Sequence, residues 1–302
     1  MRYNYNVRFD VVKNRRLFFT LSLIITAIGI ASLLIFGLST GVDFKAGTTI
    51  DVTAGQAIDK AKAEQLVKEA GQEVPSVTVG GERASLRFDK VLTEQEVAKI
   101  KSGFSGAYGD KVSFEENTVD TTMAKELAQK AIYSVLIASL GIIIYVAIRF
   151  EWRFGVAAIL ALLHDAFIVV SLFSIFRWEV NLPFLAAILT IIGYSINDTI
   201  VIFDRIRENM RFAKLKNFDD LAKLVNASVW QTMTRSINTV ITVLVGAICL
   251  FIFGSESIRY FSLAIILGLF CGAYSSIFIA SPLWLVMKNK SMKQGKLTPA
   301  KE

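Results

Sequence analysis

Two cysteines and one histidine in 302 residues leave no material for a disulfide framework or a clustered metal centre. Cys249 and Cys271 both fall inside long apolar runs, where they read as small apolar side chains. The third scarcity is local: charge is 20% of the chain, yet it is almost missing from six long stretches. A soluble globule would scatter those charges. Here 53% of the residues are hydrophobic, 22 of them Phe, and the charges are segregated from them.

An apolar helix needs about 20 residues to cross a bilayer. Leu17–Leu38, Ala131–Ile148, Phe154–Phe176, Leu182–Phe203, Ser236–Phe253 and Tyr260–Met287 meet or approach that length. The third run carries His164 and Asp165, the fourth carries Asp198, and Pro282 sits where it can kink the end of the sixth. The first run follows Arg15 and Arg16 but is longer than a signal-peptide core of ~7–15 residues, and no small-x-small cleavage site follows it. An uncleaved anchor is expected, with a cleaved signal peptide as the alternative.

Lys and Arg set the orientation. Arg2, Arg8, Lys13, Arg15 and Arg16 precede the first run. Arg205, Arg207, Arg211, Lys214, Lys216 and Lys223 lie between the fourth and fifth, and Lys288, Lys290, Lys293, Lys296 and Lys301 follow the sixth. Six spans put all three groups on one side, with short loops near Glu179 and Glu256 and one long acidic segment on the other. Both termini are therefore expected in the cytoplasm. The net charge of +7 is topological; anionic lipid headgroups satisfy it and no nucleic-acid partner is needed. The expected division is a cytoplasmic segment at 1–16, a first span at 17–38, an extracytoplasmic domain at 39–120, a bundle of five spans at 121–287 and a cytoplasmic basic tail at 288–302.

Within 39–120, Thr48–Thr53 alternates as a strand and Ala57–Ala70 shows a helical apolar face ending at Gly71. Val74–Val79 and Arg83–Phe88 meet at Gly80-Gly81 as a hairpin, and Thr93 with Glu96 makes a capping box for a helix toward Ser105. Lys111–Glu116 alternates again. The order βαββαβ predicts a small ferredoxin-like domain. It has no His, no Cys and no grouped acids, so it reads as a binding or mechanical module. The fold class expected is a polytopic α-helical membrane protein with six spans and one small α+β domain after the first.

Intramembrane polar residues carry the functional signal. An ionised Asp at a helix centre costs roughly 2.5–3.5 kcal/mol on insertion scales. Thr190, Gly193, Tyr194, Asn197 and Asp198 fall on one face of the fourth span; Arg235, Asn238, Thr239, Thr242 and Gly246 fall on one face of the fifth. Ala264, Gly268, Gly272, Ser276 and Ala280 make a four-residue repeat suited to close helix packing. Asp198 is a candidate proton-coupling residue, and the alternative is a structural pair with Arg235. Asp165 is a second candidate, and His164 is either a titrating group or a satisfied lone histidine.

Gly41-Val-Asp43-Phe44-Lys-Ala-Gly47-Thr48 resembles the G-[IV]-D-F-x-G-G-T signature of the SecD/SecF family, with Ala46 where that signature usually has glycine. Ile192 through Asn209 is similar to the fourth-span motif of the SecF branch, Thr234–Thr239 to the start of its fifth span and Leu163-His-Asp165 to its third. Asn117–Lys130 departs from the family pattern. The resemblance covers nearly the whole chain. It implies half of an RND-superfamily arrangement, pairing with SecD and working beside the SecYEG translocon, on which SecA acts. The work would be proton-motive-force-driven movement of an unfolded polypeptide, with no cofactor, no metal and no covalent chemistry. On the same resemblance Asp198 protonates, Arg235 is its charge partner, and Gly41, Asp43, Phe44 and Gly47 form the base of the exported domain. An RND-like exporter of lipid or small molecules and a purely structural translocon brace stay open as other classes.

Overall fold

The computed structural model describes residues 9–73, 76–109, 111–213 and 217–297, with backbone alone at 256–257 and 291–297. Arg2, Arg8, Lys214, Lys216, Lys301 and the expected strand start at Val74 lie outside the described residues, as do the side chains of Glu256, Lys293 and Lys296.

Helix α1 (Arg15–Phe36) is followed by the short strand β1 (Ser39–Thr40) and the single turn α2 (Val42–Lys45). Next come β2 (Gly47–Thr53), α3 (Lys60–Glu69), β3 (Ser76–Gly80), β4 (Arg83–Phe88), α4 (Glu94–Tyr108) and β5 (Ser113–Val119). The remainder is helical: α5 (Thr121–Arg149), α6 (Trp152–Ile175), a two-residue strand β6 (Glu179–Val180), α7 (Leu182–Phe212), α8 (Phe218–Phe253), α9 (Glu256–Ser275), a π turn at Ser276–Ala280 and α10 (Ser281–Leu297). Six helical stretches are long and apolar enough to span a bilayer; the sixth is the α9–π–α10 run. The wide turn ends at Ala280, two residues before Pro282, whose missing N–H and ring disturb the bonding one turn earlier.

The β2–β5 unit is an antiparallel sheet in the order β3-β4-β2-β5, with α3 and α4 on one face. Ile50, Val52, Leu86, Phe88, Ala63, Val67, Ile100 and Phe104 fill the layer between sheet and helices. Asp59 caps α3 through Lys62 N–H, and Thr93 and Glu96 form the capping box of α4. The Thr93 backbone N–H, with help from Gln72, holds the Glu96 carboxyl below its ordinary range. The last strand runs three residues beyond the expected Lys111–Glu116, because Asn117, Thr118 and Val119 still pair with β2.

The fourth and fifth spans continue as helix well past their apolar runs. Helix α7 extends to Phe212 and α8 begins at Phe218, so much of the expected basic loop is helix. These polar extensions lack the apolar pattern of a span and are held by their own bonds. Arg205 donates to Gln231 and Glu208, and Asn209 donates to Ser228 and Gln231. The N-terminal segment closes this end of the bundle. Asn226 accepts from Val12 N–H and donates to Asp10, while Trp230 Nε1 donates to the Phe9 carbonyl.

The small-residue repeat of the sixth span acts as a packing groove. A Cβ on Gly268 would stand 2.2 Å from Ile191 Cγ1, and one on Gly272 would stand 3.2 Å from Ser195 Cβ, so α9 lies directly on α7.

The segment after α1 joins the sheet unit to the bundle. Gly41 lacks a side chain where a Cβ would meet Glu179 Oε1 at 2.4 Å. Gly47 has φ +142°, and a Cβ there would strike the Phe88 carbonyl at 2.2 Å. Between them Ala46 adopts φ 65°, ψ 153°, a region that glycine alone occupies easily. Such a residue costs about 1–3 kcal/mol, while its buried methyl, packed with Val42, Val119 and Ala124, returns about 0.8 kcal/mol. Ala46→Gly is therefore expected to stabilise the detergent-solubilised chain by about 1 kcal/mol, raising its thermal midpoint by ~2–4 °C. A midpoint below that of the parent would show that the turn is not strained.

Candidate functional site

Two carboxylates lie in the bundle at different depths. At 1.5 Å per residue, Asp198 sits roughly 24 Å along α7 from its start, and Asp165 roughly 20 Å along the oppositely directed α6. Neither has a Lys or Arg in direct contact among the described residues, and Asp165 has the neighbouring His164 beside it.

Asp165 is 1% exposed and is held from three directions. Ser195 Oγ of α7 and Ser275 Oγ of α9 each donate to its Oδ2 at 2.6 Å, and His164 Nδ1 stands 3.2 Å from its Oδ1. His164 in turn lies against Tyr274, whose hydroxyl reaches Ser22 and the Phe18 carbonyl of α1. Below this cluster Thr199 and Ser276 share a 2.8 Å hydrogen bond at the start of the π turn. A carboxylate in hydrocarbon needs such donors, since burial removes the water that would otherwise solvate it.

Asp198 is held differently. Ser236 Oγ of α8 donates to its Oδ1, and its Oδ2 is buried without a protein donor. Asp198 also lines a cavity of about 20 Å³ with Tyr194, Ser195, Ser236, Thr239 and Gly272. The volume admits a single water-sized molecule. Ser195, which binds Asp165, also lines the cavity beside Asp198, so one residue borders both surroundings.

The expected ion pair between Asp198 and Arg235 is not formed. Successive helical residues are rotated by about 100°, so with Ser236 turned inward the adjacent Arg235 is turned out. Arg235 is exposed, and its charge reaches Asp198 only through space. The rest of the stripe divides likewise. Thr239, Tyr194 and Thr190 are half-buried, with the Thr190 hydroxyl bonded to the Ala186 carbonyl, while Gly193, Asn197, Asn238 and Thr242 are exposed. The faces of α7 and α8 thus present a polar band outward, along a bundle whose other outer faces carry Leu, Ile and Phe.

The signature residues lie elsewhere, at the end of the bundle that meets the sheet. Asp43 is buried and accepts from Asn117 Nδ2 of β5 at 2.9 Å and from Leu182 N–H of α7 at 2.8 Å. Phe44 packs on the bundle core. Strand β1 pairs in parallel with β6, and Gly41 N–H donates to the Val180 carbonyl. Arg87 pairs with Glu179 and donates to the Thr40 carbonyl, and Arg83 donates to the carbonyls of Phe253 and Gly254. Sequence reasoning missed Ser195, Ser236 and Ser275, the hydroxyls that serve the two acids. Ser275 adjoins the small-residue repeat and Ser195 adjoins the polar stripe, but serine at a helix interface carries no signal of its own.

Residues 99–290 match the family model described as protein export membrane protein SecD/SecF, C-terminal. The chain is 45% identical over 293 residues to protein translocase subunit SecF of Alicyclobacillus acidocaldarius, covering 95% of each. It is 46% identical to protein translocase subunit SecDF of Bacillus subtilis, of which it spans 39%. It also matches the crystal structure of SecDF, a translocon-associated membrane protein, from Thermus thermophilus, with a TM-score of 0.79 and 32% identity. That match covers 94% of this chain and 40% of the SecDF chain. The chain belongs to the SecD/SecF family of protein-export membrane proteins.

Proposed function

We propose that this chain is the SecF-type half of a proton-driven accessory complex of the Sec translocon. It pairs with SecD and acts beside SecYEG, downstream of SecA, on the late movement of an unfolded polypeptide across a bacterial cytoplasmic membrane. The observation that carries this is the uncovered polar band of α7 and α8. Asn197, Asn238 and Thr242 are exposed along spanning helices, with Arg235 at the edge of the fifth apolar run, and polar groups turned toward lipid there are costly. A second membrane-embedded surface with matching polar groups removes that cost. We assign that surface to SecD.

The sheet unit has the strand order of a ferredoxin-like module, and we assign residues 39–120 to the extracytoplasmic side. Residues 1–16 and 288–302 are assigned to the cytoplasm, around spans at 17–38 and 121–287. The basic residues of the inner loop and the ion pairs of Arg149 with Asp204 and of Lys288 with Glu151 support that orientation. In intact cells, thiol labelling at a cysteine placed at Lys99 should proceed from outside, and labelling at Arg211 should require permeabilisation. Labelling at Arg211 from outside would reverse the orientation.

Asp198 is the coupling residue in this proposal. Ionised, it draws on Ser236 and on the field of Arg235; protonated, it no longer attracts Arg235, which already faces the partner surface. Asp198→Asn fixes a protonated-like state at nearly constant volume. Translocation of a secretory precursor into inverted vesicles should lose its stimulation by a proton gradient, while protein level and SecD co-purification stay at the parent's. Full stimulation in Asp198→Asn vesicles would make Asp198 structural.

Asp165 is proposed as the second proton-holding acid, connected to the first through Ser195 and the small cavity. Each hydroxyl bond to a carboxylate contributes about 1.5–3 kcal/mol. Ser195→Ala with Ser275→Ala should therefore destabilise the purified chain by roughly 3–6 kcal/mol, and adding Asp165→Asn should restore part of the loss. No restoration would mean that the serines pack helices and do not hold a charge.

A further inference from the structure

We infer that Asp43 is the positioning residue that transmits movement of the Asp198 helix to the sheet unit. This rests on the coupling proposed above and adds the path by which it leaves the membrane. The Asp43 carboxylate joins two bodies. Its Oδ2 accepts from Leu182 N–H, the first amide of α7, and its Oδ1 accepts from Asn117 Nδ2 on β5. The first amides of a helix have no partner within it, and a negative charge there is favoured by the helix dipole. Asp43 therefore grips the end of α7 itself rather than the chain leading to it.

The surroundings make that grip stiff. Asp43 is 8% exposed, so water competes little for its oxygens. It stands in α2, one turn whose neighbours are fixed on both sides. Gly41 N–H is bonded to the Val180 carbonyl, β1 is laddered to β6, and Phe44 is seated on the bundle core. On the sheet side Asn117 lies within the ladder of β5 with β2, opposite Thr49. Asp198 and Leu182 belong to one uninterrupted helix. A tilt or axial shift at Asp198 is delivered to Leu182 with little loss along such a helix, and Asp43 carries it across to β5. Arg83 and Arg87 also tie the sheet to the bundle, but they hold the end of α8 and the strand β6. Those bonds steady the unit; Asp43 ties it to the helix that carries the coupling acid.

Asp43→Asn tests this at constant volume. An amide has one acceptor oxygen and a nitrogen that cannot accept, so one of the two grips is lost. The full-length chain, with its SecD partner in vesicles and with Cys249 and Cys271 replaced by Ala, is spin-labelled at Lys99 on α4 and Ile175 at the end of α6. The distance distribution is measured with and without Asp198→Asn. With Asp43 present, Asp198→Asn should shift the distribution; with Asp43→Asn the shift should vanish. Gradient-stimulated translocation should fall about tenfold while gradient-independent translocation is kept. Asn117→Leu, which cuts only the sheet-side bond, should give the same pattern and serves if Asp43→Asn accumulates poorly. A shift that survives both substitutions overturns the transmission role and leaves the coupling proposal standing. No shift on Asp198→Asn even with Asp43 intact overturns both.

Discussion

A carboxylate carried into hydrocarbon has to bring its own donors, and much of the bundle is arranged around that constraint. Asp165 draws Ser195 from α7 and Ser275 from α9 to one oxygen, which fixes three helices at a common depth. The same closeness requires small residues where the helices cross, and Gly268 and Gly272 supply them. Asp198 lies a turn further along α7 and is left half-provided, with one oxygen bonded to Ser236, the other without a protein donor, and a cavity of water size alongside. One acid is anchored and the other is poised. A change in charge at the second would have fewer hydrogen bonds to rearrange.

The two regions that the family signature and the span motifs mark out are distant in the bundle, yet they share a helix. Helix α7 begins under the Asp43 carboxylate and carries Ser195 and Asp198 further in. The signature glycines are explained locally: Gly41 lets the chain pass Glu179, and Gly47 takes a backbone angle that a side chain would obstruct. Asp43 and Phe44 are placed by that turn, one on the end of a helix and the other on the core. The motif is a joint, where the chain leaving the first helix is fastened to the start of α7 and to the sheet.

Much of the fold was legible because the bilayer makes segregation of charge unavoidable. Six apolar runs, four of them uncharged and two with a single Asp, gave six helices among the described residues, and the capping box of Thr93 and Glu96 gave the start of α4 where the spacing said it should be. The extensions of α7 and α8 were not legible, since outside the apolar layer a helix held by Arg205, Asn209 and Gln231 looks like a polar loop. For the site, the acids stood out by their cost and their serine partners did not. Ser236 rather than Arg235 meets Asp198, and a difference of one position on α8 is a matter of helix rotation, which is set by packing. Periodicity shows which residues share a face, but not which face meets which neighbour.

The bonds that close the N-terminal segment onto α8 impose an order of events on synthesis. Val12 and Asn226 are 214 residues apart, and at about 5–20 residues per second the ribosome needs roughly 10–40 s to deliver the second after the first. Throughout that interval Val11 and Val12, both about as buried as any residue in the finished chain, have no α8 to cover them. The N-terminal segment therefore takes its final place only once α8 has been made, long after the first span and the sheet unit.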